Sequence, residues 1–251
     1  MKSQSQKRMQ KKILAYPAAA LFILLTTLML AINTAAQSDA PTGVEISGNV
    51  TETAGSVSPD NRTDEGGTIT TMVLDVLQQN PRWKAYVGNL TGVLTLDDAL
   101  GQSIFRWELG AESLTGEVYV SRSNTVSWGD IDCSNQTLID DEDTFLGFSG
   151  TSADSVNRTF NETTHPTITV GLLPLSNCRS TSTYVNSTAQ SQALADFPLI
   201  LLQDNDNVIF ATPINQGADS YNTGTQADFQ LIVPDQVGDT TTYYFYAEIG
   251  S

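Results

Sequence analysis

The chain has 251 residues, 40% hydrophobic and 16% charged, which is enough apolar material for a buried core and too little charge for a disordered polyelectrolyte. Twelve Lys and Arg stand against 28 Asp and Glu, so the clustered positive surface that binds nucleic acid cannot be assembled. A single histidine and two cysteines exclude His-rich metal sites, Cys-rich zinc sites and dense disulfide scaffolds.

The first segment carries Lys2, Lys7, Arg8, Lys11 and Lys12 without an acid and runs into the apolar stretch Ile13 to Ile32. That order is an export signal. Thr34 and Ala36 fit the −3 and −1 positions of a signal peptidase site, so residues 1–36 read as a signal peptide and Gln37 as the first mature residue. The alternative is an uncleaved membrane anchor, since the apolar stretch approaches the ~20 residues that span a bilayer. Either way the remainder lies outside the cytoplasm, and the membrane is a partner only through this segment. No second hydrophobic tail follows TYYFYAEIGS, so no C-terminal anchor is expected.

Beyond the signal, seven basic residues face all 28 acids, a net charge of −21, and only Lys84 among the seven is a lysine. Such a surface stays hydrated at high salt, where screening blunts self-repulsion. It equally suits a glycan-coated surface protein from moderate salt.

Residues 37–67 are rich in Ser, Thr, Gly and Pro and read as a flexible polar linker containing one short apolar run, VEISG. From 68 to 251, apolar runs alternate with turns: TITTMVLDVL, KAYVGNL, GVLTLDD, SIFRWEL, GEVYVSR, PTITVGLL, FPLILLQD, NVIFATPI, ADFQLIV and TTYYFYAEI. About ten short strands at this spacing predict an all-β extracellular domain, an antiparallel β-sandwich or barrel-like fold. No long amphipathic helix competes; Thr71 to Gln79 and Ser187 to Ala195 are the candidates for short ones. Asp204-Asn205-Asp206-Asn207 reads as a hairpin tip, and Pro234-Asp235 to Gly238-Asp239 predicts a final hairpin joining the last two strands.

Seven sequons, at Asn49, Asn61, Asn89, Asn135, Asn157, Asn161 and Asn186, exceed the roughly three expected by chance and mark candidate N-glycosylation sites in an exported chain. Cys133 and Cys178 are the only cysteines, and outside the cytoplasm they pair most simply as a disulfide. Between them lie the acidic run Asp140, Asp141, Glu142 and Asp143, and His165. Those acids, with Asp204 and Asp206, are the candidate Ca²⁺ ligands, although neither cluster follows the EF-hand pattern and solvated loop charge is the plainer reading. No other cofactor is expected. Trp83, Trp107 and Trp128, with Tyr86, Phe105 and Tyr119, offer a sugar-stacking platform; the two-residue spacing of Phe105 and Trp107 instead predicts one core-facing strand face. His165 has no GxSxG elbow with it, so no catalytic residue is assigned.

The stretch WKAYVGNLTGVLTLDDALGQSIFRW, then GEVYVSR, the Trp128 to Cys133 segment, DFQLIVPD and the YYFYAEI ending resemble a pattern of exported archaeal cell-surface proteins, a group without an assigned activity. The resemblance implies an envelope protein whose tryptophans, GN turn and cysteine pair are framework features. The expectation is a non-enzymatic surface glycoprotein with a structural, adhesive or self-assembling role, meeting other surface proteins or copies of itself. One route is strand addition at a sheet edge, with VEISG as donor. A carbohydrate- or Ca²⁺-binding module and a secreted hydrolase are the alternatives.

Overall fold

A computed structural model describes residues 40–55, 58–108, 114–149, 151–236 and 238–250. The export signal expected over 1–36 lies outside the described residues. No helix among them is long and apolar enough to cross a membrane.

The protein is mostly β and its strand pairs are antiparallel. In chain order the strands are β1 (Thr42–Gly43), β2 (Trp83–Gly88), β3 (Val93–Asp97), β4 (Ser103–Glu108), β5 (Thr115–Ser121), β6 (Asp132–Cys133), β7 (Ile168–Val170), β8 (Leu173–Leu175), β9 (Ser180–Ser182), β10 (Pro198–Gln203), β11 (Val208–Pro213), β12 (Ala218–Asp219), β13 (Gln226–Ala227), β14 (Phe229–Pro234) and β15 (Tyr244–Gly250). Two α-helices, α1 (Gln136–Phe145) and α2 (Val156–Thr159), sit between β6 and β7.

Seven strands form the main sheet in the order β1-β15-β5-β11-β10-β6, with β9 sharing the outer edge of β10. Successive side chains of a strand point to opposite faces, and here both faces are buried. Val118, Val120, Leu199, Leu201, Val208 and Phe210 enter one core cluster, with α1, α2 and the β2–β14 pair above them. The intervening Tyr119, Ile200, Leu202, Ile209 and Ala211 enter a second, closed by Ile168, Val170 and Leu175 of the β7–β8 hairpin. Burial on both faces is why these strands read as continuous apolar runs rather than alternating ones. This layering is consistent with the sandwich expectation. No barrel closes among the described strands, because the sheet ends at β1 on one side and at β6 and β9 on the other.

The β10–β11 hairpin forms as the sequence predicts. Asp204 accepts the N–H groups of Asp206 and Asn207 at 3.3 and 2.8 Å, and Asn205 takes a φ of 79°, a region Asn tolerates. The final hairpin does not form. β14 pairs along its length with β2, while β15 pairs with β5 and β1. The chain therefore passes from the covering pair to the main sheet between β14 and β15, where buried Tyr243 donates its hydroxyl to Pro234 O at 2.8 Å.

Gly116 marks a close approach of β5 to β15. Its φ is +119°, and a Cβ there would lie 2.0 Å from Glu248 O, so only glycine fits.

Of the ten apolar runs, only TITTMVLDVL forms neither strand nor helix, so the short helix expected over Thr71 to Gln79 is absent. Ser187 to Ala195 keeps only a 3₁₀ turn at Gln192–Leu194. Conversely, the acidic run expected in a loop is helical in α1. Asn135 caps that helix by accepting the Leu138 N–H, and the apolar positions Leu138, Ile139 and Leu146 face the core.

Candidate functional site

The disulfide between Cys133 and Cys178 is formed, with a Cα–Cα distance of 4.9 Å, and ties edge strand β6 to the chain after β8. A 45-residue separation gives about 4 kcal/mol in the chain-entropy account. Bridges of this kind persist in oxidising, extracytoplasmic compartments. His165, beside it, is committed to the same framework. Its Nε2 accepts the Cys178 N–H at 2.9 Å, which leaves Nδ1 to donate to Pro166 O at 2.7 Å.

The candidate Ca²⁺ ligands do not converge; no group of three potential metal-ligating side chains occurs among the described residues. Asp140 and Asp141 are exposed on α1, whereas Glu142 and Asp143 are buried. Glu142 holds the Arg122 guanidinium in a bidentate pair, and that guanidinium also lies 3.9 Å from the Phe145 ring centre. Asp143 accepts the Val156 and Asn157 N–H groups at 2.6 and 3.2 Å, fixing the start of α2 to α1. Burial pushes its carboxyl upward against those bonds. Asp204 ties the hairpin tip to Ser127 N at 3.0 Å; burial raises its carboxyl, but its hydrogen bonds outweigh that and hold it below the usual range. Asp206 is exposed at the tip.

The three tryptophans part company. Trp83 packs near Phe148 and Phe160 and donates Nε1–H to Asp154 O at 2.7 Å. Trp128 meets Tyr119 and Tyr246 edge-on over the second core cluster. Tyr86 packs against Phe245. Trp107 and Phe105 share one face of β4, as their spacing predicts, but that face is not in the core: they are 48% and 56% exposed. Alternation identifies a shared face and is silent on what that face meets.

The sequons sit at the surface with two qualifications. Asn49, Asn61, Asn89, Asn135 and Asn161 are exposed, and Asn157 is half-buried. Asn186 has a φ of 49°, donates Nδ2 to Asp219 at 3.0 Å and keeps Oδ1 buried, so the atom a glycan would occupy is already engaged.

Two features escaped sequence reasoning. Glu117 and Glu248 lie opposite one another across β5 and β15, both buried. Glu117 accepts the Thr169 N–H at 3.1 Å and Glu248 the Gly171 N–H at 2.8 Å, so together they clasp the β7–β8 hairpin; the Tyr119 hydroxyl donates to Glu248 at 3.4 Å. Burial pushes Glu117 up to about 7, opposed by the Thr169 bond and aided by Glu248. A glutamate inside each of the apolar runs GEVYV and YAEI was the available signal.

The second feature is two sets of uncovered apolar side chains, one on either side of β2. In the β3–β4 hairpin, Leu94 lies opposite Trp107 and Leu96 opposite Phe105, one apolar face without a covering layer among the described residues. Upstream, Ile69, Met72, Val73, Leu74, Val76 and Leu77 are 54–99% exposed. Monomeric proteins rarely leave large apolar patches bare, and two-stranded sheets alone are marginal in water. By contrast, two surface depressions among the described residues, one of about 350 Å³ along Val44 and Tyr243–Tyr246 and one of about 450 Å³ between Trp128 and Asp206, hold no convergent set of reactive groups. Comparison with protein families, curated proteins and solved structures gives no match to this chain.

Proposed function

We propose that this is an exported, glycan-bearing surface protein whose role is structural, carried out by association with copies of itself. The observation that supports this most directly is the uncovered apolar face of β3–β4 together with the exposed segment 69–77. Elsewhere the mature chain is strongly anionic, so copies repel except where such surfaces meet. Salt shortens the range of that repulsion from about 10 Å at 0.1 M to about 3 Å at 1 M while leaving apolar burial intact. The mature chain, analysed by sedimentation equilibrium, is therefore expected to form assemblies that grow from low to molar salt. A monomer at every salt concentration overturns the proposal. Peptide mapping of the native protein is expected to give a start near Gln37, and glycans on the exposed sequons but not on Asn186.

One observation favours a second reading, a carbohydrate-binding module. The Phe105 and Trp107 rings lie 4.9 Å apart and both are open to solvent, as stacking on a sugar requires. Saturable quenching or shift of tryptophan fluorescence by an oligosaccharide, lost in Trp107→Ala, supports this reading; its absence removes it.

A further inference from the structure

We infer that residues 68–77 of one copy add as a strand to the β3–β4 hairpin of the next, joining the chains head to tail. This rests on the self-association proposed above and names both halves of its junction.

The donor half is TITTMVLDVL. It is β-branched and apolar on both alternating faces, with Ile69, Val73 and Leu77 on one and Met72, Leu74 and Val76 on the other. Strands of that pattern are ones buried on both sides. Yet this segment joins no strand of its own chain among the described residues, and its large apolar side chains are exposed. The acceptor half carries Leu94, Leu96, Phe105 and Trp107 on one face and Val93, Thr95, Ile104 and Arg106 on the other. Backbone pairing at a free edge of the hairpin supplies affinity, and donor side chains alongside the apolar face exclude water from it. Asp75 is the donor's only charge, so it adds little to the repulsion between acidic copies. Arg106 stands on the hairpin near Asp97.

The direction of assembly follows from strand β2, which separates the two halves. β2 is fixed by pairing all six of its residues with β14. At its start, Asn80 donates to the Asp154 carboxylate at 3.1 Å and Arg82 to Gly147 O at 3.0 Å; at its end, the Leu90 N–H donates to Asp228 at 2.8 Å. Donor and acceptor thus leave opposite ends of an anchored strand, roughly 20 Å apart for six residues. Each copy offers one of each at separate places, a heterologous contact that propagates instead of closing as a symmetric dimer. The VEISG segment expected as donor is a poorer fit, because β1 and the Val44 N–H already pair with β15 of the same chain.

Complementation tests this. A donor variant, Leu74→Lys with Val76→Lys, and an acceptor variant, Phe105→Lys with Trp107→Lys, alter exposed side chains, and circular dichroism confirms that each remains folded. In sedimentation velocity at molar salt, wild type is expected to form a ladder of species. Each variant alone loses every species above the monomer, and a one-to-one mixture forms a dimer and nothing larger, since one intact junction remains per pair. Assembly of either variant alone like wild type, or a mixture that stays monomeric while wild type assembles, overturns the junction and leaves self-association standing. A monomeric wild type overturns both.

Discussion

Strands β10 and β11 and the stretch from Thr68 to Trp107 are built from the same kinds of side chain and end in opposite surroundings. In the first region every large apolar residue is buried, because layers cover both faces of the main sheet. In the second, β2 is docked but the chain on either side of it exposes Val73, Leu74, Phe105 and Trp107. What separates them is the number of covering layers among the described residues. α1, α2, β2–β14 and β7–β8 are all committed to the main sheet, and none of them covers β3–β4. Such a surface is the one that the proposed self-association would cover.

The largest expected effect sharpens this contrast by making one substitution in both regions. Phe210 is fully buried between Phe160 and Tyr243, and Phe210→Ala should cost about 3–5 kcal/mol in urea unfolding. Removing the bridge with Cys133→Ser and Cys178→Ser should cost about 4 kcal/mol, read as a lower unfolding midpoint that added reductant no longer shifts.

Next comes the Glu117–Glu248 clasp, which is read through pH. The folded protein holds the Glu117 proton up to about pH 7, against an ordinary value near 4.5. Its contribution is therefore fully present below about pH 4.5 and is lost as pH rises toward about 7, a change on the order of 3 kcal/mol. Glu117→Gln should remove that slope, seen as the difference between wild-type and variant unfolding free energies across pH 4 to 8; parallel curves would contradict the clasp. The smallest effect is the counterpart of the first. Phe105→Ala should change monomer stability by no more than about 0.5 kcal/mol, and a loss comparable to Phe210→Ala would mean that the β3–β4 face is covered in the monomer.

Much of the main sheet was legible because its runs are long and apolar and its β10–β11 tip carries explicit turn chemistry in Asp204 and Asn205. The partner of β14 was not, since Pro234, Asp235 and Gly238 specify a turn but not which layer the next strand joins. Helix α1 was hidden by its own charges: Glu142 and Asp143 are buried by pairing with Arg122 and with the start of α2, and both relations are long-range. The disulfide could be read from two cysteines alone. The exposed β3–β4 face could not, because Phe105 and Trp107 have the spacing of core residues, and only the packing shows that no layer among the described residues reaches them.

Hydrogen exchange on the assembled protein, compared with dispersed monomer, tests the central claim most directly. The account predicts new protection confined to residues 68–77 and 93–108, with the already buried amides of β5, β10 and β11 unchanged. New protection along β15 or the β6 and β9 edge, with 68–108 exchanging as in the monomer, would contradict it.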